Sequence, residues 1–270
     1  MSEATSAAPP YRVLHSLGGG GGTLVARVLS AIRGVVLLSE VNPRSVRLFN
    51  GALNPLEQIR RWHPSLISGL GGFVPEAIEK PDGFRRFLRA LTANAAAAGK
   101  TLVVRDYNYI DFIGAPFLVP PPRNASLLEA LSAQPTMHSF LVRHPADQLA
   151  SLYAHDALNA HLSDDLFVDG ALAAASAFRN VPIVRYEDFT AAPATALRLL
   201  CDAMALPYEL EALDRFRSVR SVTGDFRRID DATIGMPRRS AAGVDIRMRL
   251  GSNPSYRRLC DLYGYDPAGP

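Results

Sequence analysis

The sequence predicts an α/β fold in three layers, with a central parallel sheet of about five strands flanked by helices. Short apolar runs alternate along the chain with longer segments whose apolar residues recur at helical spacing. The first run leads through five consecutive glycines into a helical pattern. No repeat or shift in composition divides the chain, so residues 11–270 are expected to form one domain after a disordered lead, residues 1–10.

The apolar runs give the expected strands. The first, Tyr11–Ser16, is apolar and is closed by glycines, and the later runs end in polar or charged residues. The strands are expected at residues 11–16, 35–39, 101–105, 138–142 and 182–185.

The segments between and after these runs give the expected helices. Asp82 is expected to cap the longest helix and Gly99 to end it, while Pro145 and Pro193 occupy first helical positions. Beyond residue 217 we expect an Arg-rich loop with one final helix. The helices are expected at residues 23–32, 56–62, 83–98, 126–133, 145–155, 166–179, 193–204, 208–217 and 256–263.

Composition narrows the classes of function. The formal net charge is only +3 and the basic residues form no dense patch, so nucleic-acid binding is not expected. No stretch reaches about 18 apolar residues, so no membrane span is expected. The six histidines are scattered without the spacing of metal ligands, so no metal is expected. Nothing in the sequence indicates the oligomeric state.

The cysteines and the N-terminus indicate the compartment. Cys201 and Cys260 are the only two cysteines, which does not suggest a disulfide scaffold. The first residues lack the basic and apolar regions of a signal peptide. We therefore expect a cytoplasmic protein, and the composition, rich in Ala and Arg, suggests a bacterial one.

The glycine run is the strongest candidate for a binding site. Strand, glycine loop and helix together form a cradle for phosphate, because the helix start presents unpaired N–H groups and the positive end of its dipole. Thr23 is placed either to cap the helix or to donate its hydroxyl to a phosphate. The run is not a Walker A motif, since no Lys follows it, and it fits GxGxxG poorly. The simpler alternative is a flexible turn.

Polar residues follow several of the predicted strands. In open parallel sheets, ligands gather at the carboxyl ends of the strands, so these residues are expected to surround one site. They are Glu40 and Asn42 after the second strand, residues 105–108 after the third, Arg143 and His144 after the fourth, and residues 186–188 after the fifth.

Four segments together resemble the PAPS-dependent sulfotransferase family, and most closely its bacterial members (PAPS is 3′-phosphoadenylyl sulfate). The loop GGGGT, ending at Thr23, lies where the family has five positions in this order: a basic residue, Ser, Gly, either Thr or Gly, and finally Thr. Arg143-His-Pro is followed eight residues later by Ser151, and VRYEDFT is similar to the family's Tyr-Glu-Asp segment. RSVTGDFRR, from Arg220, is similar to a late loop of pattern basic-Gly-x-x-Gly-Asp-aromatic-basic, with Ser221 in place of the first glycine.

The resemblance implies a P-loop-like architecture and transfer of a sulfuryl group from PAPS to a hydroxyl or amine of a small-molecule, sugar or lipid acceptor. The product would be PAP, and no metal is implied. It implies that the glycine loop holds the 5′-phosphosulfate, that Arg143 and Ser151 hold the 3′-phosphate, and that Tyr186 lies near the adenosine. The residues expected to bind PAPS are Gly18, Gly19, Gly20, Gly21, Gly22, Thr23, Arg143, Ser151, Tyr186, Arg220 and Arg227.

The chain departs from the family at the group that stabilises the leaving phosphate. Gly19 and Gly20 stand where the family has a basic residue and a serine. Arg105, at the end of the third strand, is expected to supply the missing cation. Two other functions stay open: a sulfotransferase-fold protein that binds PAPS or PAP without efficient transfer, and a P-loop kinase of small molecules, which the missing Walker lysine disfavours.

A general base must take the proton of the acceptor. Asp106 is the expected base, and Asp111 and Glu40 are the alternatives. Asp106 can instead form a salt bridge to Arg105 or cap a loop. His144 is expected to orient its turn rather than to abstract a proton.

Overall fold

The core of the protein is a five-stranded parallel sheet. The computed structural model describes residues 9–46, 51–224, 234–235 and 240–269. The strands are β1 (Tyr11–Ser16), β2 (Val35–Val41), β3 (Thr101–Asp106), β4 (Thr136–Val142) and β5 (Ile183–Arg185). Their order across the sheet is β2-β3-β1-β4-β5, and every pair is parallel. The predicted fold class is confirmed.

Helices connect the strands and cover both faces of the sheet. Short 3₁₀ turns at Pro43–Ser45, Pro64–Leu66 and Phe216–Ser218 complete the secondary structure of the described residues. The helices are α1 (Gly22–Ser30), α2 (Pro55–Trp62), α3 (Pro75–Ile78), α4 (Pro81–Ala97), α5 (Tyr109–Phe112), α6 (Ser126–Leu131), α7 (Pro145–Tyr153), α8 (Asp156–Asn159), α9 (Asp164–Ala177), α10 (Tyr186–Ala191), α11 (Pro193–Met204), α12 (Ala212–Arg215), α13 (Ala241–Leu250) and α14 (Pro254–Tyr263).

Alternate residues of each strand pack into different layers. Leu14 and Leu37 face α1 and α11 on one side of the sheet. Val13 and Val104 face α4 and α6 on the other side, where Phe140 packs against α7 and α9. Since successive side chains of a strand point to opposite faces, a polar residue at a strand end belongs to one layer or the other, never to both.

The chain changes direction across the sheet at β1. It runs from β1 to the edge strand β2, returns through β3, and then passes β1 to reach β4 and β5. Crevices at such switch points, beyond the carboxyl ends of the strands, are where open α/β sheets bind ligands. The glycine run leaves β1 at this point.

Two helix starts differ from prediction. Lys80 is the N-cap of α4 and Pro81 is its first residue, so Asp82 lies in the first turn and does not cap the helix. Proline favours the first helical position, which moves the start towards the N-terminus. The N-cap of α1 is Gly21 in the left-handed conformation, and no side chain, including that of Thr23, caps this helix.

The C-terminal part of the chain contains more helix than predicted. Residues 208–217 form only the short α12 followed by a 3₁₀ turn. Helix α13 was predicted as loop, because its ten residues show little amphipathic spacing and Gly243 lies in its first turn. It packs on α7 because Gly243 lacks a side chain: a Cβ atom there would lie 2.4 Å from Oδ1 of Asp147.

Cys201 and Cys260 are both buried and free. Of the helices in the described residues, none combines the length and apolar character needed to cross a bilayer.

Candidate functional site

The glycine loop is a crowded turn that only glycine fits. Gly19 and Gly21 have φ angles of 75° and 84°, in the left-handed region that disfavours side chains. A Cβ atom on Gly21 would lie 2.1 Å from Cδ2 of Tyr186, and one on Gly19 would lie 2.8 Å from the carbonyl oxygen of Gln148. The loop is therefore held closely by its neighbours.

This crowding leaves no room for a side chain at position 19, where a Cβ would lie 2.8 Å from the carbonyl oxygen of Gln148. We expect Gly19→Ala to lower the free energy of unfolding by about 1–3 kcal/mol more than Gly51→Ala, since a Cβ at Gly19 overpacks the site. Gly51 is a matched control, because its φ is also 75° and nothing lies within 4 Å of its Cβ position. Chemical denaturation of both variants measures the difference. Equal losses would show that the clash with Gln148 is relieved without cost.

Arg143 lies on one side of the loop. Its Nη1 donates a hydrogen bond to the carbonyl oxygen of Gly19 at 3.0 Å, and its guanidinium lies over the ring of Tyr186, 5.1 Å from the centroid. Ser151 lies beside the same glycine, with its Cβ 3.4 Å from the position of a Gly19 Cβ. Three of the predicted residues, Arg143, Ser151 and Tyr186, thus meet at the loop.

Asp147 does not hold Arg143. Its carboxylate accepts a hydrogen bond from Nη2 of Arg247 at 2.5 Å instead. In the part of the chain that the structure describes, Arg143 therefore faces the loop without a carboxylate partner, and its Nε is buried without a hydrogen bond.

Arg105 lies on the other side of the loop, under the first turn of α1. A Cβ on Gly22 would lie 2.8 Å from Nε of Arg105 and 2.5 Å from Oγ of Ser16. The absence of a side chain at Gly22 is thus what admits the guanidinium. Its Nη1 donates to Oγ1 of Thr23 at 3.4 Å and to the carbonyl oxygen of Thr223 at 3.2 Å.

The floor of this cradle has unused hydrogen-bonding capacity. Within the described residues, Oγ of Ser16 and Nε of Arg105 are buried without a hydrogen-bond partner. Buried polar atoms are nearly always paired, so two orphans beside one glycine are unusual. A hydroxyl and a guanidinium are groups that bind phosphate or sulfate oxygens, and the site fits an anionic ligand.

Glu40 completes the charge pattern of the site. Its Oε1 accepts a hydrogen bond from Nη2 of Arg105 at 3.1 Å, and its side chain is 15% exposed. Glu40 has a φ of 56°, which is uncommon for a residue other than glycine. The register of β2 against β3 shifts at this point, between Leu38 and Val41.

Asp106 is placed away from the loop, which is at odds with its expected role as base. Arg105 and Asp106 are neighbours on β3, so their side chains lie on opposite faces of the sheet. Asp106 is 1% exposed, and its carboxyl contacts Nδ1 of His15 at 2.9 Å and Nδ2 of Asn42 at 3.3 Å. An acceptor has no surface through which to reach this carboxyl, and it forms no salt bridge to Arg105.

Asp111, the first alternative base, is also inaccessible. It is fully buried and accepts hydrogen bonds from Asn42, from Arg44 at 2.6 Å and from the backbone amide of Ser126 at 2.9 Å. These contacts join the end of β2, helix α5 and the start of α6. Asp111 therefore holds the loops beside the site, and of the three carboxyl groups considered, only Glu40 lies at the glycine loop.

Burial makes Asp106 sensitive to pH. Burial raises the pKa of Asp106 from 3.8 to about 7, although hydrogen bonds from Asn42 and the amide of Tyr107 partly oppose this. Because this pKa is raised on folding, protonated Asp106 contributes its full share to the free energy of unfolding below about pH 4, and this contribution is lost as pH rises towards 7. Burial lowers the pKa of His15 to about 3, so its contribution is instead lost as pH falls below 6.5.

We therefore expect Asp106→Asn to become more stable relative to the wild type as pH rises from 4 to 7, with no further change above that. Asparagine keeps the shape and the acceptor for Asn42 but has no proton to lose. His15 contacts Asp106 at 2.9 Å, so the comparison reports the titration of the His15–Asp106 pair rather than that of either group alone. Urea denaturation at several pH values measures the difference. A constant difference between the two proteins would contradict the raised pKa.

The late loop reaches the same site from the other side. Gly224, with a φ of 118°, lies so close to Thr23 that a Cβ there would be 2.1 Å from Oγ1. Arg220 is exposed and donates to the backbone carbonyls of Arg217 and Val219 rather than pointing into the cradle. Arg227 lies outside the described residues, as do Asp225 and Phe226.

His144 behaves as expected. Its Nδ1 accepts from the amide of Ala146 at the start of α7, and its Nε2 lies 3.2 Å from the carbonyl oxygen of Asp266. Sequence reasoning missed Ser16 and Gln148, which contact the loop. Ser16 was findable, because the last residue of β1 is next to the glycines. Gln148, whose Nε2 donates to the carbonyl oxygen of Gly18, carries no such signal.

The described residues contain no group of three or more His, Cys, Asp or Glu side chains able to hold a metal ion.

Comparison with known proteins identifies the fold. No protein-family model matches the sequence, and no curated protein matches it significantly. The sulfotransferase domain from the curacin biosynthetic pathway is similar in structure, with a TM-score of 0.57 and 16% identity, covering 97% of this chain and 99% of that domain. The sulfotransferase domain of the Synechococcus PCC 7002 olefin synthase gives a TM-score of 0.54 and 18% identity over 98% of both chains. The chain thus has a sulfotransferase fold, as predicted.

Proposed function

We propose that this chain, which has the fold of sulfotransferase domains, transfers a sulfuryl group from PAPS to a hydroxyl or amine. One observation carries the proposal: a cradle of glycine amides at the start of α1 lies between two arginines from different strands. Arg143 contacts Gly19 and Arg105 lies against Gly22. PAPS carries two anionic groups, a 5′-phosphosulfate and a 3′-phosphate. A site for a nucleotide without a 3′-phosphate, such as ATP, needs no second cationic group to bind one.

The residues divide between these two groups. The amides of α1, Thr23 and Arg105 would hold the 5′-phosphosulfate, because guanidinium and helix-start N–H groups both favour anions. Arg143 and Ser151 would hold the 3′-phosphate. The ring of Tyr186 lies over Gly21, where it can pack against the nucleotide. Arg105 takes the place of the basic loop residue that resemblance to the family leads one to expect at position 19.

The reaction needs one bond formed and one broken. The acceptor oxygen or nitrogen forms a bond to sulfur while the bond from sulfur to the bridging oxygen breaks, and its electron pair leaves with the phosphate of PAP. Arg105 stabilises the charge that develops there, and the acceptor proton passes to a base. We assign this base to Glu40, since its carboxylate lies beside Arg105 and is partly exposed.

Ligand-dependent stability tests the proposal. PAP at about 100 times its Kd should raise the free energy of unfolding by roughly 2.7 kcal/mol. For a chain of this size, that corresponds to a rise in Tm of about 5–10 °C. ATP at the same concentration should give little change, because it lacks the 3′-phosphate. Equal stabilisation by both would favour a P-loop kinase, and no response to PAP would remove the sulfotransferase proposal.

A second function, donor binding without efficient transfer, is favoured by the loop itself, which has no charged side chain between Gly18 and Gly22. It predicts that PAP stabilises the protein but that PAPS is not consumed in the presence of phenols, sugars or amines. Measured release of PAP from PAPS distinguishes the two.

A further inference from the structure

We propose that Glu40 is an internal competitor of the donor: it occupies Arg105 until an anion of PAPS displaces it, and only then is its carboxylate free to act as base. This inference rests on the proposed function and adds an order to it, with the donor binding before acceptor activation. Three observations support it, namely the pairing of Arg105, the backbone at Glu40 and the position of the pair in the cradle.

Glu40 is the anionic partner of Arg105 among the described residues. The other groups that Arg105 contacts are neutral: the hydroxyls of Thr23 and Ser39 and the carbonyl oxygen of Thr223. Arg105 is only 5% exposed, so its charge needs a counterion more than a surface arginine does. Without a ligand, the carboxylate at 3.1 Å from Nη2 supplies that counterion.

The backbone at Glu40 is held in an unfavourable conformation. A φ of 56° disfavours a side chain, yet glutamate stands at this position, where β2 loses its register with β3. Strained residues persist where surrounding structure holds them, and they cluster at functional sites. Here the residue in the strained conformation is the one whose carboxylate pairs with Arg105, 3.1 Å from Nη2.

The pair lies where the donor's anionic group would bind. Nε and Nη2 of Arg105 are 2.8 and 2.9 Å from the position of a Gly22 Cβ, at the first turn of α1. A phosphate or sulfate oxygen held by the amides there would reach the same guanidinium edge that Glu40 uses. Two anions cannot both be neutralised by one guanidinium, so donor binding and the Glu40 contact oppose each other.

The consequence is a pair of effects with opposite signs. Removing the charge of Glu40 should strengthen donor binding, because Arg105 is then free, and should weaken turnover, because the base is lost. A residue that only positions Arg105 would weaken both when it is replaced.

Isothermal titration with PAP tests this. We expect Glu40→Gln to bind PAP about tenfold more tightly than the wild type, equivalent to about 1.4 kcal/mol. Glu40→Gly is the second variant: it removes the charge and adopts a φ of 56° without strain, so it should fold even if the glutamine variant does not. In an Arg105→Gln background, removing Glu40 should leave PAP affinity unchanged, because there is then no guanidinium for Glu40 and PAP to compete for.

Glu209→Gln is the matched control. Glu209 pairs with Arg215, which contacts the carbonyl oxygen of Ala31 at the opposite end of α1. Loss of this carboxylate changes the net charge equally and should not change PAP affinity. Unchanged or weaker PAP binding by both Glu40 variants, with wild-type binding intact, would overturn this inference and leave the proposed function standing. Failure of the wild type to bind PAP would overturn both.

Discussion

Arg105→Ala is expected to lower kcat by about 10²–10³-fold, the range typical for loss of one donor that stabilises developing charge. The glycine loop offers no other cation, since positions 18 to 22 carry no side chain. Among the described residues, Arg105 is the arginine nearest to the position of a Gly22 Cβ, with Nε at 2.8 Å. Release of PAP from PAPS, with an acceptor that the wild type uses, measures the effect.

Conservative variants separate chemistry from folding. Arg105→Lys keeps the charge but cannot reach Thr23, Thr223 and Glu40 together, so it should also lose turnover. Arg27→Lys is its control, because Arg27 is a buried arginine of α1 that donates to the carbonyl oxygen of Arg217, away from the glycine loop. Wild-type turnover in Arg105→Lys would show that a positive charge alone suffices at this position, whereas wild-type turnover in Arg105→Ala, like that expected of Arg27→Lys, would show that Arg105 is structural only.

Asp111→Ala is expected to lower the free energy of unfolding by about 3 kcal/mol, the lower end of the range for breaking a buried ion pair. The lower end applies because Arg44 is 29% exposed and can turn to water. The backbone amide of Ser126 loses its acceptor as well, and Nδ2 of Asn42 keeps only its longer contact to Asp106. A buried donor without a partner carries its full desolvation cost. Urea denaturation at neutral pH measures the loss.

Asp188→Ala is the control for this prediction. Asp188 pairs with Arg185 at 2.8 Å, but both side chains are well exposed. Surface pairs of this kind contribute only about 0–1 kcal/mol. If the two variants lost equal stability, the network around Asp111 would contribute no more than an ordinary surface pair.

The strongest local patterns predicted the fold well. The bounds of β1 at Tyr11–Ser16 and of α11 at Pro193–Met204 agree with the prediction, because a glycine run closes the first and a proline opens the second. Helix α13 could not be predicted in this way. It packs on α7 through the close approach of Gly243 to Asp147, a tertiary contact that leaves no periodic signal.

The candidate site was predictable in outline but not in its chemistry. Arg143, Ser151 and Tyr186 were expected around the 3′-phosphate and adenosine of the donor; they lie against the glycine loop, and their roles in binding stay predictions. Alternation along β3 requires that only one of Arg105 and Asp106 faces the loop, but the sequence does not say which face α1 covers. The role proposed for Glu40 depends on a left-handed φ, which its own residue type does not predict.

Arg143 is proposed to bind the 3′-phosphate of the donor, and one set of binding measurements tests this role. PAP and AMP differ only in that phosphate, and both should be titrated into the wild type and Arg143→Ala. Arg249→Ala, which removes a surface arginine paired with Asp164, controls for net charge. We expect the wild type and Arg249→Ala to bind PAP about 10–100-fold more tightly than AMP, as one or two charged hydrogen bonds imply, and Arg143→Ala to bind both about equally. A preference for PAP that survives in Arg143→Ala, or no preference in the wild type, would contradict this role of Arg143.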